Sequence, residues 1–82
     1  MDALVYAVDD DRGMLESLAW LLESVDVDCR CFTDGHTFLE ELTLDRPACL
    51  VLDVRMPQLG GFDVFQAVLD RRAPLPVLFV TA

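Results

Sequence analysis

The sequence predicts a parallel α/β fold, a doubly wound sheet with the element order βαβαβαβ. Two short uninterrupted apolar runs, Ala3 to Val8 and Ala48 to Leu52, stop abruptly at aspartates, as strands buried on both faces stop at a polar loop. Between the apolar runs lie stretches whose apolar residues recur every three or four positions, the spacing of a helix with one apolar side. Proline and glycine clusters mark the joints.

The first strand covers Ala3 to Val8 and ends in Asp9-Asp10-Asp11. A helix follows from Arg12 to Val25, with Met14, Leu15, Leu18, Leu21, Leu22 and Val25 forming one stripe and Asp11 placed as its N-cap. Trp20 falls opposite that stripe beside Glu16 and Glu23, which predicts an exposed aromatic. Val27 to Phe32 reads as the second strand, its charges alternating with cysteines, and Thr33-Asp34-Gly35 supplies turn and cap chemistry for a short helix to about Leu44. The Arg46-Pro47 break leads into the third strand, Ala48 to Leu52, which stops at Asp53. Met56-Pro57 and Gly60-Gly61 punctuate a loop, and the next helix reaches about Arg72 with Phe65, Val68 and Leu69 on its buried side. Pro74 and Pro76 end it before a fourth strand, Val77 to Val80, followed by Thr81.

Right-handed crossovers that run from strand one to two on one side and return to three on the other make strands one and three neighbours. The strand order is then 2-1-3-4, a flavodoxin-like sheet whose ligand crevice lies outside the carboxyl ends of strands one and three. Asp9, Asp10 and Asp53 converge there. No repeat or linker divides residues 1–82, so one domain accounts for the chain.

Fifteen acidic residues against six basic ones give a formal charge of −9, which repels nucleic-acid phosphates and disfavours direct DNA or RNA binding. The apolar runs are far shorter than the roughly 18 residues that span a bilayer. With neither a membrane span nor a basic, apolar leader, the expected location is the cytoplasm. Three cysteines, Cys29, Cys31 and Cys49, fit a reducing compartment, and Cys29 and Cys31 read as small core residues. Cys29 and Cys31 share a strand face without a second Cys/His pair to complete a metal site, and the one histidine, His36, lies away from the aspartates.

Three carboxylates brought together without a cation raise one another's pKa, a cost that a hard divalent metal relieves. Mg²⁺ suits one or two carboxylates with waters and a substrate phosphate, and the backbone carbonyl of Arg55 is placed to help. Such a site favours phosphoryl transfer, with Asp53 as the nucleophile. Each residue has a structural rival reading. Asp9 to Asp11 could serve only as helix-terminal acids, Asp53 could simply face solvent, and Thr81 could be a β-favouring residue at a strand end.

Val8-Asp9-Asp10-Asp11, Leu52-Asp53-Val54-Arg55-Met56-Pro57, Gly60-Gly61 and Val80-Thr81-Ala82 resemble a response-regulator receiver domain of the CheY-like kind, across the whole chain. Arg12-Gly13-Met14-Leu15-Glu16-Ser17-Leu18 and Asp53-Val54-Arg55-Met56-Pro57 are similar in particular to FixJ-type transcriptional regulators, which carry a C-terminal helix-turn-helix. The resemblance implies that Asp53 accepts a phosphoryl group from a sensor histidine kinase. It further implies that Asp9, Asp10, Asp53 and the Arg55 carbonyl hold Mg²⁺, and that Thr81 is the switch hydroxyl that bonds the phosphate. The family pattern goes on through a fourth helix, a fifth strand bearing a phosphate-binding lysine and a fifth helix, none of which has a counterpart in these 82 residues. From this partial receiver domain we expect weakened phosphate switching, and an apolar edge at Val77 to Val80 that favours a homodimer or strand-swapped oligomer. A switch is expected rather than a turnover enzyme. The competing readings are a phosphorylation-independent interaction module and a Mg²⁺-dependent phosphohydrolase of the haloacid-dehalogenase type. The latter wants a second aspartate where Arg55 stands.

Overall fold

A computed structural model describes residues 2–80. Seven elements follow one another: β1 (Leu4–Val8), α1 (Arg12–Glu23), β2 (Asp28–Phe32), α2 (Gly35–Glu41), β3 (Ala48–Asp53), α3 (Gly61–Asp70) and β4 (Val77–Val80). The strands form one parallel sheet in the order β2-β1-β3-β4, as the crossover argument requires. Val8 pairs with Phe32 on one side and Leu52 on the other, so β1 and β3 end level with each other. That register brings the residues after Val8 beside Asp53.

Strand alternation sends Leu4, Tyr6, Val8, Leu50 and Leu52 to one face, where they are buried against Phe38 of α2 and Val64 and Val68 of α3. Tyr6, Phe32 and Phe38 pack edge to face or tilted, with Phe38 centroids 5.4 Å from Tyr6 and 5.7 Å from Phe32. The Tyr6 hydroxyl donates to the Thr43 carbonyl at 3.1 Å and accepts from the Thr43 N–H at 3.3 Å. This pair of bonds ties the end of α2 to the central strand. Arg46 ties the opposite rim, donating to the carbonyls of Asp2 and Ala3 and to the Asp28 carboxylate at 3.0 Å.

The other face carries α1, and here the sequence reading needs correction. Of the predicted stripe only Leu15 is buried; Met14, Leu21 and Val25 are exposed. Their spacing is helical, but among the described residues too little packs beside α1 to cover them. An apolar cleft of about 360 Å³ lies instead between α1 and the sheet, lined by residues that include Ala7, Leu18, Val51 and Leu78. Trp20, 81 % exposed, is outside as predicted. On α3 the buried residues are Val64 and Val68, whereas Leu69 is exposed, because the face of α3 toward the core is centred one position earlier than the reading placed it. Cys29 and Cys31 are not core residues either: on the edge strand β2, Cys29 is half-buried and Cys31 exposed, while Cys49 on the interior strand β3 is half-buried.

Helix ends are closed locally. The Asp11 carboxylate accepts from the Gly13 and Met14 N–H groups, and that of Asp34 accepts from the Thr37 N–H. Asp26 after α1 and Arg72 after α3 take the left-handed conformation, with φ of 59° and 53°, in positions glycine usually fills.

Candidate metal and phosphoryl site

The site sits where β1 and β3 end side by side. Asp9 follows β1 directly and Asp53 is the last residue of β3, so both leave the sheet at the same rim. One carboxylate oxygen from each of Asp9, Asp10 and Asp53 lies within 4.8 Å of the others. Asp9 and Asp53 are half-buried and Asp10 is exposed, which leaves the cluster open on one side.

Backbone bonds fix the two inner carboxylates. Asp9 Oδ1 accepts from the Asp11 N–H at 2.9 Å, and Asp53 Oδ1 accepts from the Arg55 N–H at 3.1 Å. Each bond occupies one oxygen and leaves the second oxygen of that carboxylate for a ligand. Arg55 is therefore beside Asp53 and exposed, with its N–H turned to the carboxylate. Asp11, the third acid of the run, is occupied as the α1 cap.

The electrostatics follow from crowding. Burial against the apolar cleft raises the Asp9 carboxyl above its ordinary 3.8, the Asp11 N–H opposes that, and the negative charges of Asp53, Asp10 and Asp11 add to the rise. Oxygens on one Mg²⁺ octahedron are separated by roughly 3 to 4 Å, so these carboxylates can reach a shared ion by small side-chain rotations. The donor set is all oxygen, the chemistry of a hard ion rather than of zinc or copper.

Gly61, the first residue of α3, holds the rear of the site in a way the sequence did not reveal. A Cβ there would stand 2.3 Å from the Asp53 carbonyl oxygen and 2.9 Å from Val54 Cα. Its φ is not positive, so the requirement is space rather than conformation. Read as a sequence, Gly60-Gly61 signals only a loop; close backbone approach leaves no mark that distinguishes it. Thr81 lies outside the described residues. His36 is exposed at the start of α2 and takes no part in the acidic cluster.

Comparison with known proteins bears on this geometry. The sequence profile of the response regulator receiver domain matches residues 5–82. The transcriptional regulatory protein FixJ of Bradyrhizobium diazoefficiens is 36% identical over 77 residues, covering 94% of this chain and 38% of FixJ. Among solved structures, the response regulator StyR superposes with a TM-score of 0.94 at 34% identity over 100% of this chain and 41% of its own. TrrA of Thermotoga maritima, solved in complex with Mg(2+)-BeF, shares the fold with a TM-score of 0.87 at 20% identity, over 98% of this chain and 70% of its own. The chain spans little more than a third of the length of the curated relatives it matches, 35% for one and 38% for another.

Proposed function

This chain belongs to the response regulator receiver domain family, and from that premise we propose that it is a Mg²⁺-dependent phosphoryl acceptor whose nucleophile is Asp53. The observation that carries the proposal is the meeting of Asp9, Asp10 and Asp53 at the rim shared by β1 and β3. Asp9, Asp10, Asp53 and the Arg55 carbonyl would hold the ion. When bound, Mg²⁺ neutralises charge on the oxygens of the transferring phosphoryl group.

The chain's own residues do the rest. The bond from the Arg55 N–H to Asp53 Oδ1 restrains the carboxylate and leaves its second oxygen for the donor. That oxygen attacks the phosphorus of a donor phosphohistidine, the P–N bond breaks, and the imidazole nitrogen keeps the electron pair and takes up a proton. The product is an acyl phosphate on Asp53, which water later cleaves to restore the carboxylate. One phosphoryl group per cycle makes this a switch and not a turnover enzyme. Thr81 is the hydroxyl we assign to reading the phosphate, on the family resemblance.

The donor is a sensor histidine kinase, and the downstream role is control of transcription, the role named for FixJ. Among the described residues no helix is long and apolar enough to cross a membrane. The charge of −9 makes nucleic acid a poor direct partner for this domain.

Incubation of the intact protein with Mg²⁺ and a small acyl phosphate tests the reading. The expected result is an 80 Da adduct confined to Asp53, the mass of one added HPO₃ group, and absent from Asp53→Asn. Steady phosphate release from simple phosphomonoesters would assign a hydrolase instead. A protein that takes up neither phosphate nor Mg²⁺ would be an interaction module.

A further inference from the structure

Cys29 and Cys31 stand two residues apart on β2, on the sheet face that carries α1. Their sulfurs are 3.7 Å apart, and the Cys31 thiol also lies 3.8 Å from the Leu15 carbonyl, to which it donates. Cys31 is exposed and Cys29 half-buried. The third cysteine, Cys49, is separated from Cys29 by β1, where both pair with Val5. Only the first two are in sulfur contact.

We propose that Cys29 and Cys31 form a modification site that a hydroperoxide closes into an intrastrand disulfide. Cys31 is the sulfur an oxidant in solution reaches. Its thiolate attacks the peroxide oxygen, the O–O bond breaks, and Cys31 becomes a sulfenic acid while the peroxide leaves as alcohol or water. The Cys29 sulfur then attacks Cys31; the sulfenic oxygen departs with the Cys29 proton as water and the S–S bond forms. Two thiols lose two electrons, and one hydroperoxide gains them.

Burial, then the bond with Cys31, pushes the Cys29 thiol up to about 12, which keeps it from competing as the first nucleophile; its fitness for the resolving step rests on its contact with the Cys31 sulfur. Closure must bring the sulfurs from 3.7 Å to about 2.05 Å, so β2 has to pucker. An edge strand can do so, because its outer side has no ladder to break. A disulfide made under that strain is readily reduced, which makes the mark reversible. Closure also removes the thiol hydrogen that Cys31 gives to the Leu15 carbonyl, loosening β2 from α1.

The test is peroxide treatment of the intact protein, alkylation of remaining thiols and trypsin digestion. Trypsin cuts after Arg30, between the two cysteines, so the disulfide keeps the flanking peptides joined until reductant is added. Fragmentation of the joined peptides should place the bond at Cys29 and Cys31. In Cys29→Ser, Cys31 should accumulate as a sulfenic acid trapped by dimedone. In Cys31→Ser, oxidation of Cys29 should slow at least tenfold. A bond to Cys49, a dimer bridged through Cys31, unchanged Cys29 oxidation in Cys31→Ser, or two alkylated thiols at doses that oxidise glutathione would each overturn the proposal.

Discussion

Replacing Gly61 by alanine asks whether the rear wall of the acidic site is as tight as it looks. The added Cβ would lie 2.3 Å from the Asp53 carbonyl oxygen, about 1 Å short of ordinary contact. The atom it meets is backbone, so no side-chain rotation relieves the clash. Overpacking of this kind costs about 1 to 3 kcal/mol. Alanine's better helix propensity returns less than about 1 kcal/mol. A net loss of about 1 to 2 kcal/mol remains, which for a small domain unfolding with a urea slope near 1 kcal/mol/M moves the midpoint down by roughly 1 to 2 M. Because the strand end that retreats is the one bearing Asp53, Mg²⁺ affinity by calorimetry should fall about tenfold or more. Gly35→Ala is the matched control. Its Cβ would meet the side chains of Val64 at 2.5 Å and Leu59 at 3.1 Å rather than the backbone of Asp53, so it should cost stability and leave Mg²⁺ binding intact. A Gly61→Ala protein whose unfolding midpoint is unchanged, or which unfolds earlier yet binds Mg²⁺ as tightly, refutes the reasoning.

Asp9→Asn in metal-free protein should be stabilising at pH 7 by a few tenths to about 1 kcal/mol, after solvent screening, while abolishing most Mg²⁺ uptake. The sign follows from the raised Asp9 pKa: the folded state holds that proton more tightly, so the penalty is full above the folded pKa and vanishes below the unfolded value near 3.8. Urea midpoints of the two proteins should therefore converge as the pH falls toward 3.8, and a constant gap would contradict the assignment. Tyr6→Phe should cost about 1 to 2 kcal/mol in chemical denaturation, because the Thr43 N–H and carbonyl lose a shared partner. Arg72→Gly should raise stability by roughly 0.5 to 1 kcal/mol, since glycine takes a φ of 53° without a side-chain clash; a lower thermal midpoint would show that Arg72 makes a compensating contact.

The strands β1 and β3 were legible because an interior strand shows an unbroken apolar run, and Ala48 to Leu52 shows five apolar residues before its aspartate. Asp9, Asp10 and Asp53 were legible for the same reason: charge at the end of such a run has to leave the sheet at its carboxyl rim. Coverage was not. Periodicity tells which residues of α1 share a side, but whether Met14 or Leu21 is buried depends on what packs against that side. Leu69 went astray because a helix of ten residues, with apolar side chains on much of its circumference, leaves the buried direction to its neighbours. Edge position explains Cys29 and Cys31, since strand order decides which strand meets solvent and local pattern does not record it. The bonds between Tyr6 and Thr43 join segments far apart in sequence, and the close approach of Gly61 to the Asp53 backbone depends on how the intervening loop folds back, neither of which local spacing encodes.

Placing β1 between β2 and β3 has a consequence for how the protein is made. As the chain leaves the ribosome, β1, α1 and β2 can associate first, since they are consecutive. At that stage Asp9 and Asp10 have no acidic neighbour across the sheet, because Asp53 is still inside the exit tunnel or being joined. The newborn polypeptide therefore passes through a phase with two of the three carboxylates of the proposed cation site. On the proposed Mg²⁺ site, translation must deliver the central residues before the ion can lend its binding energy to the fold, so added magnesium should rescue late arrest products and leave early ones untouched.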